Sequence, residues 1–363
     1  MFEPWLKSSY DRFKDALNQG RMPSSIILSG APALGSAGLA LACAKLYLCK
    51  DRIEGEPCHT CKSCLLFEDL LNGSHPDINI LTSSTTDMAE DGLDLTHSYA
   101  NLYSDMGTPL EGFVDSKNVG ARSVRVSGVR ALSEWIYQGS VFGNGKVAII
   151  SNAHMMNESS SNALLKTFEE PPKDTLIILL TKSFESLPAT ILSRAFKIQI
   201  PKVDDDIALS FLRDKLGASF DKQRALCALA LSNNSPLGAI TIFRREIDKV
   251  ANEIISRINE SISSNLGPEQ AVSLLLTLSN EEKALILQEF ILELLKYKAR
   301  VGIEQLPLLQ SHNLDLLCRI PASHLFEAYN DLRFVKADDY LIPNRAPTAL
   351  ISAWIKALKN IGR

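Results

Sequence analysis

The sequence lacks three features, and each absence excludes a class of protein. It has no run of about 18 apolar residues, the length that a membrane-spanning helix needs, so an integral membrane protein is not expected. Its first residues contain no basic segment followed by an apolar stretch, which argues against secretion and leads us to expect a cytoplasmic protein. Its net charge is −4, which excludes a surface that is basic throughout and dedicated to nucleic acid.

What is present is the composition of a globular chain with several domains. The 363 residues are enough for about two or three domains, and 45% of them are hydrophobic, which supports a large core. Apolar strands alternate with helical patterns over the first 200 residues, and this alternation predicts a mostly parallel sheet covered by helices. The strands are predicted at 25–28, 77–81, 146–150, 176–180 and 196–200.

Beyond Pro201 the pattern predicts helices alone. We therefore expect an α/β domain over 1–201, a small helical lid over 202–243 and an all-α domain over 244–363. These helices are predicted at about 205–216, 221–231, 236–263, 268–278 and 281–301, with more to the end of the chain. The segment 82–121 is acidic and lacks a sustained period, so it is predicted to be a mobile, solvated surface insertion rather than a binding element.

A glycine-rich loop after the first strand lacks the residues that bind phosphate and metal. The loop reads GAPALGSA from Gly30, with its second glycine at Gly35. In the GxxxxGK[ST] pattern the Lys contacts the β- and γ-phosphates and the Ser or Thr holds Mg²⁺, but Ser36 and Ala37 can do neither. The strand and helix around the loop are intact, which indicates a nucleotide-binding fold that has lost its phosphate anchor.

The third predicted strand carries a second loss of the same kind. A working ATPase of this class places Asp-Glu after that strand, the Asp to hold Mg²⁺ and the Glu to activate water. This chain has Ser151 and Asn152 there. Two separate sites have thus both lost their catalytic groups.

Four of the seven cysteines are clustered in the sequence. Their spacing, C-x8-C-x2-C-x2-C, predicts a tetrahedral thiolate zinc site with a structural role, formed by Cys49, Cys58, Cys61 and Cys64. A redox pair, or a cluster that no longer binds metal, is the alternative. Cys43, Cys227 and Cys318 lie in apolar helical contexts and are predicted to be small core residues.

Two further motifs carry a family resemblance. The stretches NALLKTFEEPP at 162–172 and LPATILSRA at 187–195 resemble those of the bacterial replicative clamp loaders, which are AAA+ proteins. The resemblance covers 4–81 and 122–200, while 82–121 has no recognised counterpart and 344–358 is similar to the closing helix of the family. It implies an AAA+ P-loop-type domain with a helical lid and an all-α collar domain for oligomerisation.

The resemblance implies a non-motor subunit of the DNA polymerase III clamp loader, without intrinsic ATPase activity. Its partners would be the gamma/tau and delta subunits, the sliding clamp and primer-template DNA. In this family a Ser-Arg-Cys motif contributes an arginine to the ATP of a neighbouring subunit. Ser193 and Arg194 match it, and Ala195 departs from it. At the lid, Leu237 replaces an arginine that senses nucleotide in active relatives.

Several alternatives stay open at this point. Arg130 and Lys166 match positions that contact the template backbone in motor subunits, but either could be a solvated or ion-paired side chain. Arg194 could be an ordinary surface arginine. The chain could also be a divergent gamma/tau-like subunit that still hydrolyses ATP, or a zinc-dependent DNA-binding protein.

Overall fold

A computed structural model describes residues 2–68, 75–83, 101–103, 105–108, 123–263, 273–274, 277–314 and 317–335. The chain divides into two compact units, residues 1–203 and 204–363. The division falls near Pro201, where the sequence pattern changes from alternating strands and helices to helices alone. The further boundary between a lid and a C-terminal domain stays a prediction.

The first unit contains the predicted parallel sheet. Its strands are β1 (Ser25–Ser29), β2 (Ile78–Leu81), β3 (Lys146–Ile150), β4 (Thr175–Thr181) and β5 (Phe196–Gln199). They run parallel in the order β2-β3-β4-β1-β5, so β1 lies between two strands that follow it by more than 140 residues. Every residue of β1, β3 and β4 is buried, as expected for parallel strands with both faces covered.

Helices connect these strands. They are α1 (Lys7–Asn18), α2 (Ser36–Leu48), α3 (Lys62–Glu68), α4 (Val126–Tyr137), α5 (Glu158–Glu169) and α6 (Ala189–Leu192). Helix α2 is apolar on nearly all sides and almost wholly buried, because it follows β1, an interior strand of the sheet. Helices α4 and α5 pack on β3 through one apolar cluster that includes Val129, Leu132, Leu164 and Phe168.

The second unit is helical in its described part. Its helices are α7 (Asp205–Leu216), α8 (Lys222–Leu231), α9 (Pro236–Arg244), α10 (Ile247–Ser263), α11 (Asn280–Lys298) and α12 (Ala322–Val335). Helix α11 opens with a capping box, in which Glu282 N–H donates to Ser279 Oγ and Ser279 N–H donates to the Glu282 carboxylate. Most of the helix predicted at 268–278, and all of the segment 344–358, lie outside the described residues.

The single helix predicted at 236–263 is wrong. The chain leaves the helical conformation after Arg244 and resumes it at Ile247, with Glu246 in the left-handed region at φ +57°. No proline or glycine marks this break, so the sequence pattern runs through it. Among the described residues no single helix is long and apolar enough to cross a membrane, and one bent pair, α8 with α9, passes that test of length and composition together.

Part of the acidic insertion is buried, contrary to the prediction of a solvated surface segment. Leu102 and Met106 are 0% and 1% exposed. Met106 N–H donates to the Leu102 carbonyl at 3.1 Å, and this one helical turn brings the two apolar side chains to the same side. We call residues 101–103 and 105–108 the 101–108 segment. Apart from this segment and residues 82–83, the predicted insertion lies outside the described residues.

Candidate functional site

The altered nucleotide-binding residues meet at one edge of the sheet. The glycine-rich loop follows β1, and Ser151 and Asn152 follow β3. The carboxyl ends of parallel strands lie at the same edge, which is where open α/β sheets bind ligands. The structure therefore brings the two sequence-predicted losses into one place.

The glycine-rich loop keeps the backbone of a phosphate-binding loop. Gly30 N–H donates to the Thr181 carbonyl at 3.1 Å, and a Cβ at Gly30 would lie 2.7 Å from Ile200 Cβ, so a larger residue does not fit there. Gly35 caps α2 in the left-handed region at φ +90°. The loop thus turns tightly from β1 into α2, although its anchoring side chains are gone.

The side chains at this edge do not fit a magnesium nucleotide. Ser36, Ala37, Ser151 and Asn152 are all at most 3% exposed and carry no charge. Ser36 Oγ and Asn152 Oδ1 are buried without a hydrogen-bond partner. Neither the loop nor the two residues after β3 supply an ammonium group or a carboxylate for the triphosphate and Mg²⁺.

Sequence reasoning missed the 101–108 segment as part of this edge. The Asp105 carboxylate accepts hydrogen bonds from Ser151 Oγ and, at 2.8 Å, from Ser83 N–H. The Met106 carbonyl accepts a hydrogen bond of 2.7 Å from Ala33 N–H in the glycine-rich loop. The spacing of Leu102 and Met106, four residues apart, was the only signal in the sequence that this stretch is ordered.

The Thr181 hydroxyl and the Leu237 side chain are each held within their own unit. Thr181 at the end of β4 donates its hydroxyl hydrogen to the Ser183 carbonyl at 3.0 Å, and lies 3.0 Å from Ser186 Oγ. In the second unit, Leu237 lies in the first turn of α9 behind the Ser235 cap and is partly buried. An aliphatic side chain cannot contact a phosphate by charge or hydrogen bond.

Arg194 lies at the surface, just after α6, and is bound within its own unit. Its guanidinium forms a 2.9 Å ion pair with Glu169, and donates to the Thr190 carbonyl at 3.0 Å and to Ser193 Oγ at 3.2 Å. The side chain is 38% exposed and that of Glu169 is 50% exposed, so water screens the pair. The Arg194 carbonyl accepts from Ser25 Oγ at 3.0 Å, which ties this segment to β1.

Arg130 on α4 and Lys166 on α5 are both exposed. Their helices pack against each other, and Thr167 Oγ1 donates to Ser133 Oγ at 3.2 Å between them. Both basic side chains are thus carried by rigid neighbouring helices at the surface, where contact with a phosphate backbone is sterically open. That the two side chains contact DNA stays a prediction.

The four clustered cysteines come together as their spacing predicts. One sulfur from each of Cys49, Cys58, Cys61 and Cys64 lies within 4.8 Å of the others. Tetrahedral zinc with Zn–S bonds near 2.3 Å requires sulfurs roughly 3.8 Å apart. The Cys58 and Cys64 sulfurs are 3.9 Å apart, which fits that arrangement.

Backbone N–H groups prepare these sulfurs for metal binding. Cys58 N–H donates to Cys49 Sγ at 3.2 Å, and Cys61 N–H donates to Cys58 Sγ at 3.3 Å. The N–H groups of Thr60 and Cys61 lower the pKa of Cys58 to about 5, which favours the thiolate. Thiolates are the form that binds Zn²⁺, so Cys58 is prepared for the metal, whereas burial raises the pKa of Cys49 and of Cys64. The fit of the four residues to zinc therefore rests on the positions of their sulfurs.

Polar contacts fix the cysteine loop, residues 49–64, to the rest of the first unit. Lys45 on α2 is fully buried and forms an ion pair with Glu68 on α3, and its Nζ lies 3.2 Å from His59 Nδ1. Glu56 accepts hydrogen bonds from Tyr10 at 2.8 Å and from Lys14 at 2.6 Å, both on α1. These contacts favour a structural role for the loop, because they hold its middle, at Glu56 and His59, to helices α1 and α2.

Comparison with known proteins supports the interpretation of the motifs. DNA polymerase III subunit delta' of Yersinia pestis is 27% identical over 318 residues, covering 85% of this chain and 82% of the relative. The subunit delta' of Escherichia coli (strain K12) is 26% identical and covers 66% of this chain, which spans 60% of that relative. DNA polymerase III subunit tau of Salmonella typhimurium is 26% identical over 77% of this chain and 36% of its own length.

The family assignment rests on the first unit. A family model described as DNA polymerase III, delta subunit, matches residues 5–204, which is more than half of the chain. The match begins within the Pro4–Leu6 turn and ends at residue 204, one residue beyond the first unit. The resemblance to clamp-loader subunits that the motifs carry is thereby confirmed, and the chain belongs to the DNA polymerase III delta subunit family.

Proposed function

We propose that this chain is a delta-prime-type, non-motor subunit of the DNA polymerase III clamp loader. It would help to load the sliding clamp onto primed DNA together with gamma/tau and delta subunits. The observation that carries this proposal is the contrast at the sheet edge. The backbone of the glycine-rich loop is kept, whereas Ser36, Ala37, Ser151 and Asn152 are buried, neutral residues in place of catalytic ones.

Arg194 is the residue through which this subunit would act on chemistry elsewhere. A guanidinium is always charged and can stabilise the γ-phosphate during phosphoryl transfer at a neighbouring subunit. Its present partner, Glu169, is half exposed, so exchanging that carboxylate for a phosphate costs little. Ser193 would position the guanidinium through the 3.2 Å hydrogen bond from Arg194.

The proposal has two further parts. The cysteine cluster would be a structural zinc site, and Arg130 and Lys166 would contact the DNA backbone inside the assembled ring. The zinc would hold the loop between α2 and α3 in one conformation. A cytoplasmic location follows from a role in replication. These assignments rest on the sulfur geometry, on the exposure of the two basic residues and on the family.

The experiment is reconstitution with the cognate gamma/tau and delta subunits, sliding clamp and primed DNA. Adding this chain should raise DNA- and clamp-dependent ATP turnover and clamp loading, although the chain alone turns over no ATP. The alternative, a divergent gamma/tau-like ATPase, requires ATP hydrolysis by the isolated chain. A zinc-dependent DNA-binding protein would instead bind DNA alone, with an affinity that falls steeply with salt.

A further inference from the structure

Two consecutive residues of the 101–108 segment contact both halves of the degenerate nucleotide site. The Asp105 carboxylate is bound to Ser151 Oγ, at the end of β3, and to Ser83 N–H. The Met106 carbonyl is bound to Ala33 N–H, inside the glycine-rich loop. Ser151 stands where an ATPase places its magnesium-binding Asp, and loop N–H groups are what an ATPase uses for phosphate.

The contact is tightly packed as well as hydrogen-bonded. Gly107 adopts φ +80°, and a Cβ there would lie 3.1 Å from Ala33 N and 3.3 Å from Pro32 Cβ. Leu102 and Met106 are buried, and burial raises the pKa of Tyr103. The loop is also bound by the Trp5 indole, which donates to the Leu34 carbonyl at 2.9 Å.

We propose that the 101–108 segment is an internal ligand of the degenerate nucleotide site. Its Met106 carbonyl oxygen accepts from a loop N–H of the kind that would bind phosphate, and its Asp105 carboxylate lies against Ser151, at the position of the missing magnesium ligand. Nucleotide is then excluded by occupancy as well as by the missing lysine. This inference rests on the proposed function only in naming a nucleotide as the displaced ligand.

The test is amide hydrogen exchange in the full chain, comparing wild type with Asp105→Ala. Loss of the carboxylate should raise exchange at Ser83 and Ala33 by at least about tenfold, the effect of losing a local hydrogen bond. Gly30, whose N–H donates to Thr181 in the sheet, should not change. Asp15→Ala, at an exposed position on α1, is the matched control and should leave all three amides at the wild-type rate.

A second variant displaces the segment without touching the end of β3. Gly107→Val introduces a branched side chain at a left-handed position facing Ala33, so it should raise exchange at Ala33 in the same way. Unchanged exchange at Ala33 in both variants would overturn the proposal. So would an equal rise at Gly30, because Asp105 and Gly107 would then support the whole sheet instead of a local closure.

This readout is independent of clamp loading. If the reconstituted complex fails to load clamps with the wild-type chain, the proposed function fails while the exchange pattern can still hold. If the exchange pattern fails and clamp loading succeeds, only the internal ligand is rejected. The two outcomes are therefore distinguishable with the same purified chain.

Discussion

At the scale of single residues, Arg194 carries the most specific prediction. Arg194→Ala should leave the fold and the assembly with partner subunits nearly unchanged, because its pair with Glu169 is exposed and such pairs contribute about 0–1 kcal/mol. The loss should appear in the ATP turnover of the neighbouring subunit, since a trans-acting arginine raises the turnover number by a factor of roughly 10³–10⁵ at the one site that it serves. Steady-state ATP hydrolysis by the reconstituted complex measures it.

Two comparisons make the Arg194 result interpretable. Arg194→Lys should rescue poorly, because a point charge does not reproduce the planar fork of donors. Arg213→Ala, which removes an exposed arginine from α7, should behave as wild type. Wild-type ATP turnover in the Arg194→Ala complex would mean that Arg194 is an ordinary surface residue with no role in hydrolysis.

The sequence alone identified the residues that stand where a known motif has a different chemical group. Ser36 and Ser151 were found because a lysine and an aspartate are expected there. Asp105 and Glu169 were not found, since their roles depend on contacts with Ser151 and Arg194 that only the folded chain brings about. A carboxylate in an acidic stretch has no sequence pattern that separates a buried contact from a solvated one.

At the scale of elements, the cysteine loop should bind one zinc ion per chain. Cys58→Ser should abolish zinc binding and expose the loop, because the thiolate with the lowered pKa is lost from the cluster. Elemental analysis and proteolysis between α2 and α3 measure both effects. Cys227→Ser is the control, since that buried cysteine lies in α8, outside the cluster. Metal-free wild-type protein with four readily alkylated thiols would reject the site.

Helix α11 contains a carboxyl group that should make stability depend on pH. Burial raises the pKa of Glu293 to about 8, with a further contribution from Glu289, despite hydrogen bonds from the Leu308 and Leu309 N–H groups. Between the ordinary pKa near 4.5 and about 8, the folded chain retains a proton that the unfolded chain has released. The stability contribution of this group is therefore complete below pH 4.5 and lost as the pH rises through 8.

Glu293→Gln removes that titration. Relative to wild type, the variant should gain unfolding free energy as the pH rises from about 5 to 8, by up to about 1.4 kcal/mol per pH unit. Thermal unfolding across this range measures the difference. Glu327→Gln, which replaces an exposed carboxyl group on α12, is the matched control. A pH-independent difference for Glu293→Gln would contradict the assignment.

Helices and strands were predictable where a regular pattern of apolar residues is bounded by residues that start or stop the element. Helix α11 begins at the Ser279 capping box, and strands β1, β3 and β4 are continuous apolar runs. The break between α9 and α10 was not predictable, because Glu246 has no intrinsic preference for the left-handed region that it adopts there.

At the scale of the whole molecule, the isolated chain should neither bind Mg-ATP tightly nor hydrolyse it. Positions 36, 37, 151 and 152 carry neither the ammonium group nor the carboxylates that an active ATPase has there. Isothermal calorimetry with Mg-ATP should give no heat of binding in the micromolar range. Tight binding with measurable turnover would favour the gamma/tau-like alternative.

The order of the strands determines when, during synthesis of the chain, this sheet can form completely. In the described sheet β1 pairs with β4 and β5, so the chain must extend to Gln199 before this interior strand has both neighbours. At a synthesis rate of about 5–20 residues per second, that interval lasts roughly 10–30 s. During it the backbone N–H and C=O groups of β1 have no partner strand and its apolar side chains are uncovered, and non-local parallel pairing is itself slow. Nascent chains should therefore depend on chaperones that bind extended apolar segments until the first unit has left the ribosome.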